Sequence, residues 1–239
     1  MLLFTAATKK EMGSFISGHI PGESCLLNKA EAGLAVTAYK NKDVAFLITG
    51  IGLLNASYKL SVCVTNYKIT GVINIGIAGS FDLTSPGLGD ICVISREIWP
   101  EFGLLTGDTI LPRGLGFAQA SINGEKIWDT IDLCPDLAPK NMGISLPLSW
   151  PRVVSLTVAG VTGTQARARL LKQKYQAHIE NMEGFALAYV CILKQIPFIE
   201  IRTISNLVGS RDKKYWDINL ALKKLNSIWP AFFKVRCSR

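Results

Sequence analysis

Ile73-Asn74-Ile75-Gly76-Ile77-Ala78-Gly79-Ser80 decides the fold class. Its branched apolar residues run with little polar interruption, as in a strand covered on both faces. The strand, expected over 72–77, opens into small residues. Gly76 and Gly79 would let a flat ligand lie against bare backbone, but from the segment alone a bulge or close strand packing is the better explanation. Working outward, similar runs occur at 2–7, 44–49, 91–95, 153–159 and 198–205. Helical periodicity lies between some of them, at 53–67, 165–175, 182–194 and from about 215 to 234. This alternation predicts an α/β fold with a mostly parallel sheet and helices on both faces.

The chain has 239 residues, which predicts one domain over 1–239. Residues 95–151 hold six of the ten prolines (Pro100, Pro112, Pro135, Pro139, Pro147, Pro151), so this region should be loop-rich, with short regular pieces such as 125–131. The longest apolar stretches, 44–48 and 184–193, fall well short of the roughly 20 residues of a spanning helix, so no membrane partner is expected. The apolar start lacks preceding lysines, unlike a signal peptide.

Lys and Arg number 26 against 18 Asp and Glu, a net charge of +8. The excess lies in 165–239, with 14 basic and 5 acidic residues. No zinc-finger, RNA-recognition or basic-zipper pattern accompanies it, so nucleic acid is not an expected partner. Six cysteines, at 25, 63, 92, 134, 191 and 237, include no C-x-x-C pair. They read as small buried hydrophobes in a reducing, cytoplasmic setting. The two histidines, His19 and His178, have no metal-ligand spacing, so no metal is expected and a Ser–His–Asp mechanism is disfavoured.

In an open α/β sheet, ligands bind beyond the carboxyl ends of the strands. Residues 8–11, 50–55, 76–81, 160–164 and 205–212 occupy those positions, with the helix opening near Asn181. Gly50-Ile51-Gly52 could aim backbone N–H groups at an anion or a ribose, or simply make a tight turn. The dinucleotide fingerprint fails because position 55 is Asn, and no P-loop motif exists. In Asn181-Met182-Glu183-Gly184, Asn181 and Glu183 could merely cap a helix. Alternatively Glu183 could accept from two vicinal sugar hydroxyls, with Met182 offering a polarizable surface. Asn206 could present an amide to a heterocyclic base, or form a turn. Glu200 and Arg202, two apart on one strand, share a face and could pair. Glu11 is the only acidic residue among the first 22 and suits either a solvated helix start or a general base.

Taken together, Thr8-Lys9-Lys10-Glu11, Thr49-Gly50-Ile51-Gly52, 74–79, 89–93, Glu180–Gly184 and 201–206 resemble the purine nucleoside phosphorylase/nucleosidase family over about residues 1–220. The run 205–212 with Trp216 is most similar to the branch that hydrolyses futalosine on a route to menaquinone. The resemblance implies a three-layer α/β/α fold with a mixed, mostly parallel sheet, hydrolysis of an N-glycosidic bond, no cofactor, and a homodimer. Carried over position by position, Glu11 activates water and Asn206 binds the base. Glu183 holds the ribose hydroxyls beside Met182, and Ala78 and Gly79 line the site. Thr162, Gly163, Arg211 and Trp216 belong to loops expected near the substrate's 5′ side, as does 99–103. Relatives acting on adenine nucleosides typically have Asp where this chain has Asn206. Asn can donate to a 6-oxo group, which points to a hypoxanthine leaving group; adenine nucleosides such as aminofutalosine or methylthioadenosine are the alternative. A phosphorolytic relative would need arginines around its phosphate, and the 50–55 turn has none, so water is the expected nucleophile.

Overall fold

A computed structural model describes residues 1–40 and 42–233 of the protein. Lys234 and Cys237, which the sequence placed in a helix and among the buried thiols, lie outside the described residues.

The chain opens with β1 (Leu2–Ala6), α1 (Lys9–Ile16), α2 (Glu23–Ala32), β2 (Ala35–Tyr39), β3 (Lys42–Ile48), α3 (Leu53–Asn66), β4 (Gly71–Ser80) and β5 (Ile91–Ile98). Next come β6 (Leu104–Thr106), β7 (Thr109–Leu111), β8 (Ala120–Ile122), β9 (Glu125–Ile127), β10 (Thr130–Asp132) and α4 (Ala138–Met142). The last part holds β11 (Arg152–Thr157), α5 (Gln165–Tyr175), β12 (Ile179–Asn181), α6 (Gly184–Leu193), β13 (Phe198–Leu207), α7 (Ile218–Asn226) and α8 (Ile228–Phe232).

Among the described residues one nine-stranded sheet runs β10-β5-β11-β12-β4-β1-β3-β2, and β13 pairs with both β4 and β5. β1 is parallel to β3 and β4, β13 to β4, and β11 to β5 and β12. Antiparallel pairings at β2, β10, β12 and the β13–β5 edge make the sheet mixed. Adjacent residues of β1 show why helices cover both faces. Phe4 packs with Phe15 and Trp229 from α1 and α8, while Leu3 packs with Leu60 of α3 and Leu187 of α6. Strand side chains alternate faces, so a strand buried at every position, as β1 is, demands cover above and below. A third cluster seats α5 through Ala168 and Leu171 against Leu156 and Val158.

The fold departs from the sequence reading at several places. The expected helix over 215–234 is broken into a 3-10 turn (Lys213–Tyr215), α7 and α8. Asp217 restarts the chain by capping α7 through Leu220 N–H, and Pro230 lies within the short α8. The expected helix at 182–194 begins only at Gly184, because Met182 and Glu183 form the bend between β12 and the helix. The loop-rich 95–151 segment carries two small hairpins, β6–β7 and β8–β9, and the expected piece at 125–131 is split between β9 and β10. Cys63, Cys92 and Cys191 are buried, whereas Cys25 and Cys134 are exposed, contrary to the expectation of uniformly buried thiols.

Candidate active site

Glu11 sits in the first turn of α1, where the chain leaves β1. Thr8 caps the helix and accepts from Glu11 N–H at 3.2 Å. The Glu11 carboxylate turns back to accept from Thr8 N–H at 3.0 Å and Thr8 Oγ1–H at 2.7 Å. Its other oxygen accepts from Ile77 N–H of β4 at 3.0 Å. A reciprocal cap of this kind satisfies helix-end donors, and here it also fixes a carboxylate that is only 5% exposed.

Glu183 lies at the start of α6. The glycine turn after β3 delivers Gly52 N–H to its Oε1 at 3.0 Å, so the anion met by that turn is this side chain. Asn181 Oδ1 accepts from Glu183 N–H at 2.8 Å and Gly184 N–H at 2.7 Å. Asn181, whose backbone belongs to β12, thus satisfies the N–H groups of the N-cap residue Glu183 and of Gly184 at the start of α6. Burial pushes the Glu183 carboxyl above its ordinary value, opposed by the Arg202 guanidinium and by the Gly52 hydrogen bond.

Arg202 joins the two acids. Its Nε donates to Glu200 at 2.8 Å, and its Nη2 stands 4.0 Å from Glu183. A Cβ on Gly76 would collide with the guanidinium and lie 2.9 Å from Glu11 Oε1. The bare backbone expected to receive a ligand at Gly76 is filled by these two side chains. Burial works against the Arg202 charge, but Glu200, Glu183 and Glu11 outweigh it and hold the guanidinium above its ordinary value. Behind it, Glu97 accepts from Asn181 Nδ2 at 2.8 Å and from Thr157 Oγ1 at 2.6 Å. Burial and the facing Glu200 push the Glu97 carboxyl well above its ordinary value, and burial raises Glu200 too, against the pull of Arg202.

A cavity of about 300 Å³ opens over these groups. Glu11, Glu183, Met182, Ala78, Gly79, Thr162, Asn206, Arg211 and Trp216 all line it. Of the expected site residues, only Gly163 is not among the lining residues. The 99–103 loop is also absent from the lining; Trp99 packs instead on Phe102 and Phe185. Asn206 reaches the cavity because β13 shifts register between Ile204 and Asn206, leaving Ser205 as the extra residue. Ser205 Oγ lies 2.8 Å from Asn206 Oδ1, and a Cβ on Gly79 would stand 3.0 Å from Asn206 Nδ2. The amide nitrogen thus packs over Gly79, beside a Val208 methyl that would stand 2.8 Å from a Cβ there.

Sequence reasoning assigned no role to Glu97, Glu180 or Lys10, and it saw Arg202 only as a partner of Glu200. Acids and an arginine inside apolar strands were the available signal, since a charge buried in a sheet needs an answering group. Among the described residues no group of three or more His, Cys, Asp or Glu has metal-binding geometry.

Residues 5–228 match the family described as the phosphorylase superfamily. A futalosine hydrolase from Thermus thermophilus is 30% identical over 194 residues, covering 81% of this chain and 83% of its own length. Another from Streptomyces coelicolor is 31% identical over 186 residues, covering 75% and 74%. A 5′-methylthioadenosine/S-adenosylhomocysteine nucleosidase from Staphylococcus epidermidis is 26% identical over 188 residues, covering 77% and 78%. In fold, a futalosine hydrolase mutant of Helicobacter pylori superposes with a TM-score of 0.72 at 17% identity over 96% of both chains. The chain belongs to the phosphorylase superfamily, with futalosine hydrolases among its relatives at about 30% identity.

Proposed function

We propose that this protein is an N-glycosidase that hydrolyses futalosine to hypoxanthine and dehypoxanthine futalosine in menaquinone biosynthesis. The observation that carries the reading is the pair of buried carboxylates, Glu11 and Glu183, held over one cavity by backbone amides and Arg202. Breaking the C1′–N9 bond sends its electron pair to the purine and builds positive charge on the ribose. Fixed carboxylates stabilise that charge without reorganising. Glu11 takes a proton from the attacking water as its oxygen bonds to C1′, a contribution of about 10²–10⁴-fold for a positioned base. Glu183 accepts from the ribose hydroxyls beside Met182. The Asn206 amide donates to the departing base, which suits a 6-oxo group.

The cations near the reacting groups argue for water over phosphate as nucleophile. Arg202 is committed to Glu200, Glu183 and Asn181. Lys10 and Arg211 line the cavity, and Arg211 lies over the Trp216 ring at 5.9 Å. We assign Arg211 and Trp216 to the substrate's 5′ side. The relatives at about 30% identity, named as futalosine hydrolases, support the choice of substrate.

Incubation with futalosine, aminofutalosine and methylthioadenosine tests the reading. Hypoxanthine release from futalosine should dominate, and a preference for the adenine nucleosides would overturn the choice of base.

The working form is a homodimer in this proposal. Ile51, Leu54, Tyr58 and Val62 form an exposed apolar stripe at helical spacing along and just before α3, with Leu54 85% exposed. Contiguous apolar surface of this kind marks an interaction face. Among the described residues, three buried and two exposed free thiols fit a cytoplasmic enzyme. Among the described residues, no helix is long and apolar enough to cross a membrane.

A further inference from the structure

Arg202 stands behind Glu183 without closing on it. Its Nη2 lies 4.0 Å from Glu183 Oε2. That is beyond hydrogen-bond reach, although a free guanidinium and carboxylate form a short, often bidentate pair. Glu183 Oε1 accepts from Gly52 N–H at 3.0 Å, whereas no donor among the described residues reaches Oε2. Glu183 lines the cavity, so Oε2 is the oxygen left to a sugar hydroxyl. Something must hold the cation back.

Glu200 is placed to do so. It precedes Arg202 by two residues on β13, so the two side chains share a face. Its Oε1 accepts from Arg202 Nε–H at 2.8 Å, with both groups buried. Nε is the inner nitrogen of the guanidinium fork, and a bond there fixes the plane from which Nη1 and Nη2 project. Nη2 donates to Asn181 Oδ1 at 3.4 Å. Glu200 cannot follow the cation forward, because Glu97 of β5 and Gly184 of α6 brace it. Glu97 hydrogen-bonds Glu200. A Cβ on Gly184 would stand 2.5 Å from Glu97 Oε1, and 2.5 and 2.6 Å from the two Glu200 oxygens. The charged groups facing Arg202 are thus Glu200 on its own strand, Glu183 at α6, Glu11 of α1 and, behind, Glu97 of β5.

We propose that Glu200 is a positioning residue: its carboxylate holds the Arg202 guanidinium back from Glu183, which keeps an open oxygen for the ribose hydroxyls. The inference rests on the nucleosidase reading and deepens it. Without the charge at position 200, Glu183 and Glu11 become the anions that draw Arg202. The guanidinium then advances by about 1 Å to a charge-assisted contact with Glu183 Oε2, roughly 2.8 Å long. A closed pair occupies the oxygen that the sugar needs, and it cancels part of the negative charge that would face the ribose cation. The base end of the cavity, at Asn206, is untouched.

The test is Glu200→Gln, which keeps the size of the side chain, an acceptor for Arg202 Nε–H and a donor for Glu97, and removes the charge. For the purine nucleoside that the parent cleaves fastest, kcat/KM should fall by roughly 10–100-fold. Calorimetric titration of free hypoxanthine, which has no ribose, should give an affinity within a few-fold of the parent. The same change is then made in a Glu183→Gln background, where position 183 carries no charge to draw Arg202. There it should cost no more than about threefold, whereas a merely structural role would lower both backgrounds alike. An unchanged kcat/KM, an equal fall in the two backgrounds, or a matching loss of hypoxanthine affinity overturns the proposal. Should the variant fail to fold, a crystal structure of the parent with an uncleavable nucleoside analogue decides. A ribose hydroxyl within about 3.2 Å of Glu183 Oε2, with Arg202 Nη2 still beyond about 3.5 Å, supports the assignment. Nη2 closed on Oε2, or ribose hydroxyls bound elsewhere, overturns it. A parent that cleaves no purine nucleoside defeats the nucleosidase reading itself, and this inference with it; cleavage unaffected by Glu200→Gln defeats only the role of Glu200.

Discussion

Glu11 shows how a helix cap and a candidate base can be one residue. The capping box with Thr8 is legible in the sequence as a Thr followed three positions later by Glu. Its bond to Ile77 N–H is not, because that contact spans 66 residues and exists only once β4 lies beside β1. The amide Glu11→Gln keeps size and hydrogen-bonding shape but cannot take a proton. We predict a fall in kcat of about 10²–10⁴-fold, with hypoxanthine affinity within a few-fold of the parent. Steady-state kinetics with a parallel base titration check it; a near-normal kcat would remove Glu11 from the chemistry. Glu183 was legible as a helix-start acid near a cavity. The Gly52 amide aimed at it, and the Arg202 guanidinium behind both acids, were not, since each arrives from a distant strand end.

At the scale of elements, the longer apolar runs had legible strand or helix identity, and α5 has the expected bounds, 165–175, whereas α2 and β2 carried no apolar period that marked them. The misjudged elements are short or locally contradicted. β12 has three residues, too few for a period, and it looks like the start of the apolar helix that follows. The junction between β12 and α6 is also tightly packed. A Cβ on Gly184 would stand 2.5 Å from Glu97 Oε1 and 2.5 Å from Glu200 Oε1. Gly184→Ala should therefore cost about 1–3 kcal/mol by overpacking, read as a lower denaturant midpoint with unchanged slope. Equal midpoints would mean that the acid pair can move aside. On the opposite side of α3, Leu54→Glu should convert the dimer to monomer in size-exclusion chromatography with light scattering. A parent that is already monomeric would contradict the proposed interface.

For the whole molecule, the layered α/β/α plan was legible because strands without a polar face require helices on both sides. The strand order was not, because β13 inserts between β4 and β5 after most of the chain has passed. The buried charge network spans those late pairings, and it sets how stability depends on pH. Glu97 binds its proton more tightly in the folded chain than in the unfolded one, so the folded state holds more protons above the ordinary carboxylate range. Its contribution is complete below the ordinary value and is lost as pH rises through the raised one. Each tenfold in proton affinity is worth about 1.4 kcal/mol. Glu97→Gln is permanently neutral, so it should match the parent near pH 4 and melt at a higher temperature toward pH 9. Parallel melting curves across that range would show that Glu97 is not the proton holder.

The central claim is that water, activated over this cavity, displaces a purine from a ribose carbon. The direct measurement is turnover of futalosine in ¹⁸O-labelled water, with and without phosphate, followed by mass spectrometry of both products. The account predicts free hypoxanthine, one ¹⁸O on the anomeric hydroxyl of the sugar product, and a rate indifferent to phosphate. A phosphate requirement with a sugar 1-phosphate product, or no release of base, would contradict it.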